Sequence, residues 1–331
     1  MSDAAEQGGA IDVHAHVALP GSTGRAGALG PTQGVAPDGT PWFQVGGYRL
    51  DGVRYEGTAF ADIEVRLALM DRLGIARQLL SPNPILMIAH TDESVATSYA
   101  SWHNDTLASE VARAPDRLAA LAQVPVQSPK AAATELRRAV TDLGHIGLAL
   151  GTEAPFDLDA PEMTPLWDEV ESLGVPVFLH PAPHGIDAPS PDRRLSRFGL
   201  DLSLGFLLEE TIAVAQLVLG GVLERHPTLD VCVSHGGGAT CWLAPRLRRA
   251  ADRDSGASAD MLEAGLGRLW WDTHVGGGPS LDLLIASVGT ERLLLGTNLA
   301  GWDSPANLTD EVPSGLLPTL TANAERLLTK R

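Results

Sequence analysis

Short apolar segments alternate with amphipathic helical segments about eight times along this chain of 331 residues. The predicted strands are rich in valine, leucine and isoleucine, as strands covered on both faces are; they span residues 11–17, 76–82, 118–125, 146–151, 175–181, 229–235, 269–275 and 292–297. The predicted helices span residues 62–74, 94–114, 129–143, 162–174, 204–225, 239–252, 279–288 and a stretch from about 304. This alternation predicts an α/β fold, the (β/α)8 or TIM barrel, in which eight parallel strands close on themselves.

The length is ordinary for one barrel, and we expect residues 1–331 to form a single domain. Ser128-Pro129 and Ser304-Pro305 have the order of an N-cap residue followed by proline in the first helical turn, so each predicts a helix start. Helix ends are predicted at glycines, namely Gly74, Gly144 and Gly174.

Two connections are too long to be plain turns. Residues 18–61 follow the first predicted strand and are rich in glycine and proline, and residues 182–203 follow the fifth. Both leave the carboxyl ends of strands, where a barrel of this kind builds its active site. Loops this long in a compact domain are usually functional, so we interpret both as pocket-forming insertions.

Four histidines lie at the carboxyl ends of three predicted strands. His14 and His16 are two residues apart on the first strand, so both project to one face. His180 and His235 lie at the ends of the fifth and sixth predicted strands. Because these strand ends meet at one rim of the barrel, we predict a site for one divalent metal ion. Zn²⁺ fits imidazole ligands with an open catalytic position, while Mn²⁺ and Fe²⁺ stay open because selection also depends on metal supply.

Composition narrows the choice of partners and compartment. The formal net charge of −17 argues against nucleic acid and against anionic membrane surfaces. We expect no membrane helix, since no apolar run approaches the length of about 20 residues that one needs, and the polar, acidic N-terminus is wrong for a secretion signal. With only two cysteines, Cys232 and Cys241, both in apolar segments, a disulfide framework is not indicated, and we expect a cytoplasmic protein.

From Ile11 to about Asn307 the chain resembles the amidohydrolase superfamily, in its branch of aminocarboxymuconate semialdehyde decarboxylase and related aromatic acid decarboxylases, which also holds hydrolases and a hydratase. The resemblance is carried by Pro176-Val-Phe-Leu-His180-Pro181, Ser234-His-Gly-Gly-Gly238 and Trp271-Asp-Thr273, together with residues 67–74, 115–118, 135–139 and 220–224. It implies that His14, His16 and His180 are metal ligands and that His235 is a catalytic histidine beside the ion.

The main departure from the branch is at Asn298. The resemblance implies an aspartate as last ligand after the eighth strand, whereas this chain has Gly296-Thr297-Asn298. An amide oxygen can still ligate a hard ion, but it adds no negative charge and accepts no proton. Hydrolysis that uses this aspartate as base is therefore disfavoured; His235 would act alone, or Asp303 would take the catalytic role instead of steadying the last helix.

Two origins of Asn298 are open, namely natural divergence and an introduced replacement. The following Leu299-Ala300-Gly301-Trp302 also departs from the Tyr/Phe-Pro of the branch, which favours natural divergence. The two lysines, Lys130 and Lys330, lie at a helix start and at the terminus, so a lysine-bridged pair of ions is excluded.

Recognition of a carboxylate calls for arginine, whose planar group binds an anion through two hydrogen bonds. The loops supply candidates for substrate binding, namely Arg49, Arg54, Arg194, Trp42, Trp302 and His184. Each of these residues has the alternative of a solvated surface position. Asp272 and His274 lie in the seventh predicted strand. For both, a role in the site and ordinary packing in the barrel are open.

The sequence thus predicts a metal-dependent enzyme, a lyase that decarboxylates a small aromatic or conjugated carboxylic acid without oxidation. The first alternative is a hydrolase or cyclising enzyme that acts on an ester, amide or ring carbonyl. The second is an inactive binding protein that has kept the fold. The resemblance also implies a homodimer.

Overall fold

The computed structural model describes residues 9–187, 192–253 and 256–329. Its strands are Ala10–Val17 (β1), Thr32–Val35 (β2), Pro41–Val45 (β3), Tyr48–Asp51 (β4), Ile75–Pro82 (β5), Leu118–Ala122 (β6), Gly147–Gly151 (β7), Val177–His180 (β8), Val231–Val233 (β9), Trp270–Asp272 (β10) and Leu293–Leu294 (β11). Its helices are Ile63–Leu73 (α1), Glu93–Val111 (α2), Pro129–Thr141 (α3), Thr164–Leu173 (α4), Phe206–Leu219 (α5), Val222–Arg225 (α6), Thr240–Ala251 (α7), Ala259–Leu266 (α8), Gly278–Val288 (α9), Leu308–Glu311 (α10) and Leu317–Leu328 (α11).

The eight-stranded parallel sheet has the order β1-β5-β6-β7-β8-β9-β10-β11. Its two edge strands meet where Asp12 pairs with Leu295 in parallel, and the Val13 N–H donates to the Leu295 carbonyl at 2.9 Å. The sheet therefore closes into a (β/α)8 barrel, which confirms the predicted fold class. Side chains such as Val13, Leu121 and Phe178 fill the interior.

Local sequence explains several boundaries. The Asp62 carboxylate caps α1 by accepting from the N–H groups of Glu64 and Val65, and Gly74 ends it in the left-handed conformation, φ +75°. Pro129 begins α3 as predicted. The prediction that Ser304-Pro305 starts the last helices is wrong, because the capping box of Asn307 starts α10 three residues later.

The segment between β1 and α1 contains a three-stranded antiparallel sheet in the order β2-β3-β4. Its buried side chains, Phe43 and Val45, pack with Ile85, Leu86 and Ile186. The chain there was predicted as a loop because its glycines and prolines obscure the strand pattern. The other long connection, between β8 and α5, leads into a π-helical turn at Asp201–Gly205 that continues into α5.

Two helix predictions need correction. The helix predicted over residues 204–225 is divided at Gly220 and Gly221, where Gly221 adopts φ +74°.

The expectation that no segment is long and apolar enough to cross a membrane is also wrong on length and composition, because Asp201–Leu219 forms a continuous helix of 19 residues that meets both criteria. A core helix meets them too, and Val214 and Leu217 of this helix are fully buried.

Candidate metal-binding active site

Three histidine side chains converge at the carboxyl ends of β1 and β8. The Nε2 atom of His180 lies 3.2 Å from the Nε2 atom of His16 and 3.2 Å from that of His14. All three residues are buried, and one ligand atom from each lies within 4.8 Å of the others. This imidazole cluster (His14, His16 and His180) brings together the three histidines predicted as metal ligands.

A polar group behind each ring fixes its orientation through Nδ1. The contacts are His14 with the Asp272 carboxylate at 2.6 Å, His16 with the Ser81 hydroxyl at 2.8 Å and the Pro82 carbonyl at 3.1 Å, and His180 with the Pro181 carbonyl at 2.7 Å. A carbonyl or carboxylate can only accept, so Nδ1 carries the proton and Nε2 keeps its lone pair. Such anchoring is typical of metal-ligating histidines.

The imidazole cluster is electrostatically suited to a cation. Burial lowers the pKa of His14 to about 4 and lowers the pKa of His16 and of His180 well below the usual value. The rings are therefore neutral near pH 7, the form that binds metals. The Nε2 lone pair of His180 then lies 3.2 Å from those of His14 and His16, and a cation bound between the three rings would satisfy all three lone pairs.

Asn298 follows β11 at the same rim. Its Nδ2 donates to the Asp303 carboxylate at 2.7 Å, which fixes the amide orientation, while its buried Oδ1 has no hydrogen-bond partner among the described residues. Asn298 adopts φ +44°, and a Cβ at position 301 would collide with its side chain, so Gly301 is required there. A buried oxygen left without a donor fits a metal ligand. Three imidazole nitrogens and this oxygen therefore form a donor set suited to one divalent ion.

His235 lies beside the imidazole cluster, with its ring centre 5.0 Å from that of His14 and 5.0 Å from that of His180. Its Nδ1–H donates to the carboxylate of Glu210 on α5 at 3.1 Å, and Ser234 donates to the same fully buried carboxylate. Burial alone would lower the pKa of His235, but the charge and hydrogen bond of Glu210, together with the charge of Asp272, outweigh it and raise the pKa. These carboxylates therefore favour the protonated form of His235, and its Nε2 is left for the cavity.

His274 is held between two carboxylates. Its Nε2 lies 3.1 Å from the Asp303 carboxylate and its Nδ1 lies 3.1 Å from the Glu311 carboxylate. Burial opposes the charge, yet the two carboxylates raise the pKa of His274 to about 10, and His274 lowers the pKa of Asp303 to about 2 against the effect of burial. Asp303 thus joins Asn298 to His274 and does not cap a helix.

A cavity of about 730 Å³ opens onto these groups, and its wall includes His16, His180, His235, Asn298 and Asp303. Two of the predicted substrate-binding residues, Arg54 and Trp302, also line it. His14 lies behind the wall, in a smaller pocket inside the barrel that His16 and His180 also line.

The other predicted substrate-binding residues lie outside the described wall of this cavity. Arg49 pairs with Asp51 at 2.8 Å and stacks over Trp42 at 4.6 Å. His184 lies 3.4 Å from the Glu209 carboxylate, and the exposed Arg194 pairs with Asp192. A role in substrate binding stays a prediction for Arg49, Trp42, His184 and Arg194.

Sequence reasoning missed Glu210 and Glu311 and left His274 undecided. Both glutamates lie in predicted helical segments, where an acidic residue is ordinarily solvated. Glu210 is instead fully buried on a mainly apolar helix, and Glu311 is nearly fully buried. The one available signal was the adjacent pair Glu209-Glu210 within an apolar run.

The fold and the site together define a (β/α)8 barrel with a metal-binding active site at the carboxyl ends of its strands. A sequence profile of the amidohydrolase family matches residues 11–328. The chain therefore belongs to the amidohydrolase family, in the branch that includes aminocarboxymuconate semialdehyde decarboxylase and gamma-resorcylate decarboxylase, as the resemblance predicted.

Named relatives agree with this placement. The chain is 29% identical over 269 residues to 2-amino-3-carboxymuconate-6-semialdehyde decarboxylase of Dictyostelium discoideum, covering 80% of this chain and 72% of that protein. It is 32% identical over 242 residues to gamma-resorcylate decarboxylase of Rhodococcus jostii, covering 69% and 67%. A solved structure of a dihydroxybenzoic acid decarboxylase from Polaromonas, with bound manganese and 2-nitroresorcinol, superposes with a TM-score of 0.74 at 21% identity, covering 97% and 96%.

Proposed function

We propose that this protein is a metal-dependent carboxy-lyase that removes CO₂ without oxidation from a small aromatic or conjugated carboxylic acid. One observation carries the proposal: three imidazoles with converging Nε2 atoms lie beside a fourth, His235, whose Nδ1–H is held by the buried Glu210 carboxylate. The decarboxylase names of the relatives support the reaction type.

The reaction defines what the residues must do. The bond between the ring carbon and the carboxyl carbon breaks, its electron pair stays on the ring, CO₂ leaves, and one proton replaces the carboxyl group. A divalent ion held by His14, His16, His180 and Asn298 would supply Lewis-acid stabilisation at a substrate oxygen. The chain itself must orient the ring and deliver the proton.

His235 suits the delivery of that proton. Glu210 accepts from its Nδ1–H and helps to raise its pKa, which favours a proton on Nε2, the nitrogen left for the cavity. Arg54, on the wall of the same cavity, offers the positive charge that a carboxylate needs. The groups for holding the acid and for protonating its ring thus face one space.

Hydrolysis is less well supported. Asn298, the candidate ligand beyond β11, has an amide side chain, which accepts no proton. The carboxylate next to it, Asp303, already accepts from Asn298 and pairs with His274, and its pKa of about 2 makes it a weak base. A metal-assisted hydrolase or cyclising enzyme would need its base from elsewhere in the cavity.

The test is CO₂ release from a panel of aromatic acids that includes gamma-resorcylate, using protein loaded with Mn²⁺ or Zn²⁺. We expect CO₂ and the decarboxylated product in equal amounts from at least one acid. His235→Asn should keep the metal and lose the activity. Hydrolysis of esters or lactones with no CO₂ release from any acid would contradict the proposal.

We also propose that one ion binds per chain and that two chains form a homodimer in the cytoplasm. The imidazole donors favour Zn²⁺, while the bound manganese of the Polaromonas structure supports Mn²⁺. Elemental analysis of protein purified without chelator measures the ion, and light scattering measures the mass. Two or more ions per chain would contradict the single-ion site. The mass of one chain in solution would contradict the homodimer.

A further inference from the structure

The cavity is larger than its polar end requires. Its volume of about 730 Å³ falls within the range of about 300–1,000 Å³ that encloses drug-sized ligands. The histidines, Asn298 and Asp303 form one end of the wall. A single aromatic ring held against them would leave most of the remaining wall without contact.

That remaining wall is mainly apolar and comes from two sides. The insertion after β1 contributes Leu50 and Phe60, and the start of α5 contributes Phe206 and Leu207. The Tyr48 hydroxyl, on the insertion, donates to the Asp201 carboxylate, on the π-helical turn before α5, at 2.8 Å. This bond joins the two sides, so the wall exists before a ligand arrives.

Two tryptophans extend the apolar wall to the mouth of the cavity. Trp242 on α7 is 75% exposed and Trp302 is 70% exposed, and both line the cavity. Side chains of this size left in water next to a cavity are typical of ligand recognition, because a ring stacked on them buries much apolar area.

Charge on the wall is sparse. Arg54 is the one arginine among the described lining residues, and none of them is a lysine. The histidines of this wall that pair with carboxylates are already balanced, His235 by Glu210 and His274 by Asp303 and Glu311. In a chain of net charge −17, a second substrate carboxylate would find no cationic partner on this wall.

We propose that the preferred substrate is an aromatic monocarboxylic acid with an extended apolar part, a fused second ring or a long alkyl chain. The carboxylate-bearing ring lies at the histidines and the apolar part runs along the wall to Trp242. This inference rests on the proposed function, because it places the reacting ring by the site described there.

The test compares two ligands with the same head group: salicylate, and a hydroxynaphthoate that carries the same adjacent hydroxyl and carboxylate on two fused rings. Binding to metal-loaded protein is measured by calorimetry. We expect the hydroxynaphthoate to bind at least about tenfold more tightly. A naphthalene dicarboxylate should bind more weakly than the hydroxynaphthoate.

The variant Trp242→Ala should remove most of that difference, weakening hydroxynaphthoate about tenfold and salicylate less than about twofold. Its exposed position makes misfolding a minor concern. Phe198→Ala is the matched control, since Phe198 is 81% exposed but lies outside the described wall, and both affinities should stay unchanged. Equal affinities in the wild type, or equal losses in Trp242→Ala, would overturn the inference.

CO₂ release measured in parallel separates this inference from the proposed function. Tight, Trp242-dependent binding of hydroxynaphthoate without CO₂ from any acid of the panel would support the ligand class and contradict the decarboxylase. CO₂ release from salicylate and hydroxynaphthoate with equal kcat/KM and equal affinity would support the decarboxylase and overturn the ligand class.

Discussion

Two groups of histidines face one rim of the barrel, and their pKa values are shifted in opposite directions. In the imidazole cluster burial dominates and lowers the pKa of His14, His16 and His180. Neighbouring carboxylates raise the pKa of His235 and of His274. His14 also contacts a carboxylate, Asp272, yet stays neutral because burial and the neighbouring histidines outweigh that single charge. The partner and the degree of burial, rather than the residue type, decide whether a histidine suits a metal or a proton.

The largest expected effect is the loss of one ligand of the imidazole cluster. His180→Ala should release the ion and lower activity by at least about a thousandfold, because two imidazoles and one amide oxygen hold a divalent ion weakly. His184→Ala is the matched control for metal content alone and should keep the ion, since His184 lies four residues on and pairs with Glu209. Metal per chain is measured by elemental analysis. An ion retained in His180→Ala would contradict the assignment of the imidazole cluster as the metal-binding group.

The second prediction concerns the charge that Glu210 places on His235. Glu210→Gln should lower kcat about 10²–10³-fold at neutral pH with the metal retained. Loss of the carboxylate lowers the pKa of His235, so the fall of activity on the alkaline side should move to lower pH. Glu209→Gln, one residue away and outside the site, should leave the pH profile of kcat/KM in place; an unmoved profile in Glu210→Gln would argue against a proton-donating His235.

The third prediction sharpens the role of Asn298 as a ligand. Asn298→Asp adds a negative charge to the donor set and should tighten Mn²⁺ binding about tenfold, while Asn298→Ala removes the oxygen and should weaken it by a similar factor. Isothermal titration of the apoprotein with Mn²⁺ measures both. Affinity unchanged in Asn298→Ala would mean that the free Oδ1 does not reach the ion.

The smallest expected effect is on stability, through Asp303 and His274. The folded pKa of His274, about 10, lies above its unfolded value, so its contribution is complete below about pH 6.5 and is lost as the pH rises through about 10. Asp303→Asn should cost about 1 kcal/mol at pH 6, less at pH 9.5. Urea unfolding of both proteins at the two pH values measures this loss of unfolding free energy. A loss that is larger at pH 9.5 than at pH 6 would contradict the predicted pH dependence.

Much of the barrel could be predicted from the sequence because its strands are apolar on both faces and its helices end at glycines such as Gly74. The histidines were predictable as well, since the carboxyl ends of parallel strands meet at one rim. The sheet β2-β3-β4 was not, because its strands are short and half exposed. Glu210 and Glu311 were hidden because sequence alone gives no sign that a helical carboxylate faces a histidine rather than water.

The most direct test of the account is a crystal structure of the protein loaded with Mn²⁺, with the ion located by its anomalous scattering. The account predicts one peak per chain, within about 2.0–2.3 Å of the Nε2 atoms of His14, His16 and His180 and facing the Oδ1 atom of Asn298. A peak bound instead by His235 or His274, or no peak at the imidazole cluster at saturating Mn²⁺, would contradict the division of these histidines into metal-binding and proton-carrying groups.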